Sequence, residues 1–277
     1  MEHRTNMEIE EAPAQAAKPA TGAVCNSSQT APGEAGRGAA PNGYLICEHR
    51  GIFILLMIGA GMMGAYTFNL RGGVFSNAQT ANVVMMAVAF GRGEWESGLY
   101  FLLPISAYIA GAFVSEFFPN RVKKLGLFRW DTYLVGFEAL VLFGVGFVPL
   151  NVTDHLVQVT INFICSMQYN TFRQAEGVPM ATTFCTNHVR QIGICLAHFV
   201  RHRDDPAILR RAGFHLVMIA AFLFGAAVLT VCCGYLWERA IWLAIVPLGI
   251  VFLLLAHADI FREHGLLWRV PAGHSGH

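Results

Sequence analysis

Six stretches of about 20 mostly apolar residues constrain this chain more than any other feature of its sequence. A helix needs about 20 such residues to cross the roughly 30 Å hydrocarbon core of a bilayer. The chain is 55% hydrophobic and 13% charged, whereas an ordinary soluble domain carries about 25% charged residues. The sequence therefore predicts an all-α fold, a polytopic transmembrane helix bundle. The six stretches are residues 51–70, 98–118, 132–150, 155–172, 212–234 and 239–257.

Two further stretches, residues 76–90 and 180–200, are less clear because polar residues fill their first halves. The first lies in VFSNAQTANVVMMA, which begins at Val74, and only Val83 to Phe90 is continuously apolar. An apolar helix of that length rises only about 12 Å, less than half of the membrane core. In the second stretch, the polar run MATTFCTNHVRQ leaves a similarly short apolar end. We expect both stretches to form short re-entrant helices.

The two polar stretches belong to an internal repeat. Four residues separate the Thr-Phe pair beginning at Thr67 from a Gly-Val pair, and the pair beginning at Thr171 has the same spacing. Each polar stretch is followed by a short apolar run, a charged loop and a long helix containing ISAYIAGAFV or IAAFLFGAAV. A period of about 100 residues indicates a duplication. The predicted regions are a disordered tail (1–48), a first membrane repeat (49–150), a second membrane repeat (151–258) and a C-terminal tail (259–277).

The positive charges in the loops favour opposite orientations of the two repeats. If all eight stretches crossed the membrane, the basic loops at 121–129 and 201–211 would lie on opposite sides. If the two polar stretches do not cross, both loops lie in the cytoplasm, as the positive-inside rule requires. Six spans plus two re-entrant helices, in an inverted repeat, is therefore our prediction, with both termini at the cytoplasmic face of a bacterial inner membrane. Eight spans in two parallel repeats is the alternative.

Two quoted segments carry a family resemblance. At GAYTFNLRGGVFSNAQTANVV, and again at MQYNTFRQAEGVPMATTFCTNHVR, the sequence resembles the YoaK family of bacterial membrane proteins, domain-of-unknown-function family 1275. The likeness covers about residues 45–258. The family pattern has Thr-Gly-Asn in both copies, whereas this chain has TAN from Thr80 and TNH from Thr186. The resemblance implies an integral membrane protein of about six helices and supplies no reaction. The departure, clearest at His188, implies an altered ligand or affinity if these positions bind one.

The polar stretches suit helices that start inside the membrane. Irregular backbone is tolerated at that depth only where protein or a cavity surrounds it, and Gly72, Gly73 and Gly177 are the residues that would let the chain turn. Hydroxyl and amide side chains can cap the amides of such a helix start. The expected capping residues are Ser76, Asn77 or Thr80 in the first repeat and Thr182, Thr183 or Thr186 in the second.

Two such helix starts brought together near the midplane would form a binding site. A helix start carries about +0.5 of a charge and free N–H donors, which suits an anion or a polar neutral solute. The alternative is that these polar residues only join neighbouring helices by hydrogen bonds. The predicted site residues are Asn77, Gln79, Thr80, Asn82, Thr183, Thr186, Asn187 and His188.

Charged residues inside the apolar stretches are the other candidates. Glu138 lies in YLVGFEALVLFG, and a carboxylate at the membrane centre costs about 2.5–3.5 kcal/mol on insertion scales. We expect Glu138 to face the bundle, either protonated or paired, with Arg190 as a partner. Proton coupling through Glu138 is the functional alternative. Arg71 and Arg173 are interpreted as interfacial anchors, with substrate gating as the alternative.

Several function classes find no support in the sequence. It has no phosphate-binding glycine loop, no nucleophile elbow and no zinc-ligand spacing, so we expect no catalytic activity, no cofactor and no metal. The scattered basic residues predict no nucleic-acid partner. The expected partners are the lipid bilayer and a small solute, and homo-oligomer formation is left open. The predicted function is a transporter or channel for a small polar or anionic solute, with a non-transporting scaffold or regulator as the alternative.

Overall fold

The computed structural model describes residues 43–122, 126–151, 154–201 and 205–267, and the described chain is predominantly helical. The prediction of an all-α fold is confirmed, with one small addition: two-residue strands β1 (Gln174–Ala175) and β2 (Val178–Pro179) pair antiparallel. The helices are α1 (Arg50–Leu70), α2 (Gln79–Gly91), α3 (Trp95–Tyr100), α4 (Leu102–Phe117), α5 (Pro119–Val122), α6 (Trp130–Val145), α7 (Asp154–Thr171), α8 (Thr186–Arg201), α9 (Pro206–Leu236) and α10 (Ile245–Phe261).

Two helix pairs dominate the packing: α1 lies along α9, and α4 lies along α7. Glycines let the backbones of each pair touch. A Cβ atom at Gly225 would collide with the carbonyl of Ile58, one at Gly61 with the carbonyl of Phe222, and one at Gly111 with the carbonyl of Phe163. Close approach through small residues is typical of helix pairs in membranes.

Apolar side chains cover the outside of the bundle, while many polar side chains lie inside. Leu223 and Phe224 on α9, and Leu253 on α10, are exposed. A continuous exposed apolar surface of this kind is unusual for a protein in water. By contrast, Asn82 and Glu138 are fully buried. This distribution suits a lipid environment.

Three stretches of the described chain are long and apolar enough to cross a membrane. They are α1 with 21 residues, a 23-residue stretch covering Trp95–Phe117, and a 56-residue stretch covering Pro206–Phe261. The last contains α9, a 3-10 segment and α10, with a break at Trp237, whose φ is +51°. The prediction of six spans stays a prediction, because α6 has 16 residues and α7 carries many polar ones.

A cluster of buried charges fastens the first described residues to the end of α10. Arg129 donates to Asp131 (3.1 Å) and to Glu263 (3.4 Å), and Glu263 also accepts from the backbone N–H of Ile46 (2.8 Å). Leu45 is fully buried. Residues 45–48 are thus packed, although the predicted tail extended to residue 48; residues 1–42 of that tail, and 268–277 of the C-terminal one, lie outside the described residues.

Candidate functional site

The chain breaks between α1 and α2 as the glycines predict. Gly72 and Gly73 have φ angles of +71° and +72°, which L-residues with a side chain rarely adopt, and α1 ends at Leu70. We call residues 71–78 the first broken segment. Helix α2 then begins with Ala78 as its N-cap residue, and no side chain caps it. The prediction that Ser76, Asn77 or Thr80 caps this helix is therefore wrong, and the first amides of α2 have no side-chain acceptor.

Asn82 holds the first broken segment in place. Its side-chain oxygen accepts from the Phe75 N–H (3.2 Å), and its amide nitrogen donates to the Phe75 carbonyl (2.8 Å) and to Gln79 (3.1 Å). Asn82 thus pairs with Phe75 as a second backbone strand would. All of its hydrogen-bonding groups are occupied by protein, so its side chain serves the fold.

Polar side chains of α7 contact both the first broken segment and the chain between α7 and α8. Gln158 donates to the carbonyl of Arg71 (2.6 Å), and Asn162 accepts from Gln79 (2.7 Å). Three turns from Gln158, Gln168 donates to the carbonyl of Thr182 (3.5 Å) in the segment between α7 and α8. Gln158 and Asn162 are four residues apart and lie on the same face of α7, whereas Gln168, six residues further on, points about 120° away from Asn162 around the helix axis. The sequence reasoning did not single them out, although polar residues in an apolar stretch are the signal that could have found them.

Arg71 is a structural residue of the same region. It is fully buried and donates to the carbonyls of Val148 (2.5 Å) and Pro149 (3.1 Å) after α6, and to the Tyr66 hydroxyl. Its guanidinium also lies 3.7 Å from Asp154. The interpretation of Arg71 as an interfacial anchor is therefore wrong. Arg173, which was interpreted in the same way, is half-buried and pairs with Glu116 at 2.8 Å.

The second broken segment, residues 172–185, runs through the β1–β2 hairpin before α8 begins. Gly177 (φ +78°) and Glu176 (φ +47°) turn this hairpin, so the prediction of a break at Gly177 is confirmed. His188 on α8 is fully buried. Its Nε2 lies 2.8 Å from the Ala181 carbonyl, and its Nδ1 lies 3.0 Å from Nδ1 of His215 on α9. A carbonyl can only accept, so His188 Nε2 carries a proton, and a neutral His188 then accepts at Nδ1 from the Nδ1–H of His215.

The starts of α2 and α8 share one cavity of about 520 Å³. Asn77 and Ala78 line it from the first broken segment, and Phe184, Cys185 and Thr186 from the second. The small residues of α1 and the facing side of α9 complete its wall. The described lining residues are mainly apolar and include no charged side chain. Its polar residues are Asn69, Asn77, Thr186 and Thr230.

The predicted site residues divide between this cavity and the surrounding structure. Asn77 and Thr186 reach the cavity, and Asn77 also donates to the Ala60 carbonyl at 3.2 Å. Thr80 is exposed on α2, whereas Thr183 is fully buried. Gln79, Asn82 and His188 bond to other protein groups and are not among the described residues that line the cavity. Asn187 is half-buried and accepts from Arg190 at 3.2 Å.

The expected pairing of Glu138 with Arg190 is wrong. Arg190 is exposed on α8 and bonds to Asn187, one turn earlier on the same helix. Glu138 is fully buried on α6, and neither carboxyl oxygen has a hydrogen-bond partner in the described part of the chain. Among these residues no group of three or more His, Cys, Asp or Glu side chains has an arrangement that could hold a metal ion.

Long apolar helices, an outer surface of apolar side chains and a polar interior indicate a helical membrane protein. Within that class, the sequence model of the family described as "Protein of unknown function (DUF1275)" matches residues 52–254, and the chain belongs to this family. DUF1275 is the YoaK family, so the resemblance read from the two motifs is confirmed. No curated protein and no solved structure gives a significant match.

Proposed function

We propose that this protein is a transporter or channel of the bacterial inner membrane that moves a small polar or anionic solute. The observation that carries the proposal is the cavity of about 520 Å³ shared by the starts of α2 and α8. Cavities in this size range hold small ligands. The start of α2 has no side-chain cap, so no capping side chain competes with a solute for its first amides and partial positive charge.

The same proposal includes six spans, two re-entrant helices and an inverted repeat. Helix α2 has 13 residues, about 20 Å, which is too short for a core of about 30 Å. The first helix of each half packs on the long helix of the other half, α1 on α9 and α7 on α4. Gly225 and Gly111, at matching places in the long helices, both contact a carbonyl of the partner helix. Reciprocal packing of this kind supports a pseudo-two-fold relation between the halves.

A non-transporting scaffold or regulator is the second candidate. It is favoured by the hydrogen bonds that Asn82 and Gln79 make within the bundle, because these side chains then serve the fold alone. Polar residues that join helices in this way occur in membrane proteins of every function.

Solute flux into proteoliposomes tests the proposal, with chloride, nitrate, acetate, urea and glycerol as probes. Ala226 lines the cavity, and Ala227 beside it is exposed on the outer face of α9. We expect Ala226→Trp to fill the cavity and reduce flux at least tenfold, while the matched control Ala227→Trp retains it. If no probe enters faster than it enters protein-free vesicles, or if the solute flux is equal in both variants, solutes do not pass through the cavity and the scaffold function is favoured.

A further inference from the structure

Glu138 is the one fully buried carboxyl of the described chain that contacts neither a donor nor a cation. It lies in the middle of α6, between the buried residues Leu134, Val135 and Leu142 of the same helix. Each of its two oxygens exposes less than 1 Å², so neither is open to water. The other buried carboxyls of the described chain differ: Asp131 and Glu263 bond to Arg129, Asp259 accepts from Thr132 at 2.6 Å, and Glu48 accepts from the Leu45 N–H at 2.8 Å.

The groups around Glu138 offer no compensation for a negative charge. Helix α6 packs against α7, α10 and the 3-10 segment that precedes α10. From α7, the titratable group that interacts with Glu138 is the thiol of Cys165. Within the described residues, no Arg, Lys or His of any of these elements lies within ion-pair distance of the carboxyl. An isolated carboxylate in a dry, apolar interior is too costly to persist, so the group takes up a proton instead.

The position of Glu138 connects it to the candidate site. Helix α6, which carries Glu138, packs on α7, and Cys165 of α7 lies 3.9 Å from Met63 of α1. Cys165 stands on α7 between Asn162 and Gln168, the residues that contact Gln79 and the Thr182 carbonyl. The helix that carries Glu138 is therefore a direct neighbour of α7, the helix that contacts both broken segments.

From this geometry we infer that Glu138 is a proton-binding site whose proton is held in this conformation and exchanged when the bundle rearranges around α7. This inference rests on the proposed function for one part only, the coupling of proton movement to solute movement. Because the structure gives the proton no acceptor and no water path, exchange requires a conformation in which the Glu138 carboxyl meets water. Transport that alternates between two conformations supplies such a change.

Infrared spectroscopy of the full chain in lipid vesicles tests proton occupancy without any reference to transport. At neutral pH we expect a C=O stretching band of a protonated carboxylic acid that disappears in Glu138→Gln. Glutamine has the shape of the protonated acid, so this variant should fold. If Glu138→Gln does not fold, Glu138→Asp is measured instead, and the C=O band should then shift in frequency. A spectrum at neutral pH that both substitutions leave unchanged in this region would overturn the inference.

A pH gradient tests the coupling. In wild-type vesicles we expect an imposed gradient to drive solute accumulation at least several-fold, whereas Glu138→Gln should equilibrate solute without accumulating it. Gradient-driven accumulation that persists in Glu138→Gln would overturn the coupling. If the wild type moves none of the five probes, the proposed function fails, while the infrared band still decides whether Glu138 holds a proton. As a matched control, Glu116→Gln changes an exposed carboxyl that pairs with Arg173, and it should leave both readouts unchanged.

Discussion

At the scale of single residues, some polar side chains inside this bundle have hydrogen-bond partners in the protein and others have none among the described residues. Asn82 makes three hydrogen bonds to protein, and Arg71 binds the end of α6. Glu138 makes none. All three stood out in the sequence as polar residues in or beside apolar stretches. Their roles could not be predicted, since a partner such as the Val148 carbonyl is brought close only by the packing of distant helices.

Asn82→Ala should destabilise the protein by about 1–3 kcal/mol, because the N–H and carbonyl of Phe75 lose the side-chain partner that they have inside the bundle. Asn187 on α8 is the matched control: it is half-buried, and among the described residues its side chain bonds only to the exposed Arg190. Thermal unfolding in detergent should show a clear drop for Asn82→Ala and less than about 0.5 kcal/mol for Asn187→Ala. Equal losses would show that Asn82 does not hold the first broken segment.

At the scale of helices, the breaks were predictable and the helix rotations were not. Gly72, Gly73 and Gly177 mark the breaks because positive φ angles are readily accessible to glycine. The predicted ion pair between Glu138 and Arg190 was wrong because the side of a helix that faces inward depends on the neighbouring helices. Helix α8 turns His188 inward and leaves Arg190 exposed. Uniformly apolar helices such as α10 carry little periodic signal from which to predict that rotation.

The backbone contact between α1 and α9 gives a prediction for the helix pair. Gly225→Ala places a Cβ against the Ile58 carbonyl and should cost about 1–3 kcal/mol through overpacking. Gly213 lies on the same helix, and a Cβ added there would meet no other atom within 4 Å, so Gly213→Ala should be neutral or slightly stabilising. Chemical denaturation of both variants in the same detergent makes the comparison. If Gly225→Ala left the free energy of unfolding unchanged, α1 and α9 could move apart at no cost.

At the scale of the whole molecule, the reciprocal packing of α1 on α9 and α4 on α7 gives the bundle its arrangement. The sequence predicted a duplication and two related halves. It did not show that α1 would pack against α9 and α7 against α4. It also did not show that a charge cluster joins the 3-10 turn Ile46–Glu48 to the end of α10.

Membrane topology can be measured with single cysteines in a cysteine-free chain, labelled from one side of the membrane. With six spans, Leu127→Cys should react from the cytoplasm and Arg92→Cys from the outside; with eight spans both should reverse. Asp205→Cys should react from the cytoplasm in either case, which makes it the control. Reversed labelling of Leu127→Cys and Arg92→Cys would remove the re-entrant helices and the inverted repeat together.

The charge cluster predicts a pH dependence of folding stability. Burial raises the pKa of Glu263 above its ordinary value of 4.5, although the Ile46 N–H and Arg129 act in the opposite direction. The folded state then binds the proton more tightly than the unfolded state. The contribution of Glu263 to folding stability is therefore fully present below pH 4.5 and declines as the pH rises through the raised pKa of the folded state. Thermal unfolding at a series of pH values should show this decline in the wild type and a flatter profile in Glu263→Gln. Identical profiles would contradict the assignment.

The hydrogen bond between the Ile46 N–H and Glu263 has a practical consequence for engineering. It brings the entry and the exit of the described bundle side by side, so a short peptide can join them. A circularly permuted gene, opened between α6 and α7, would then encode the two halves in exchanged order while every helix keeps its neighbours.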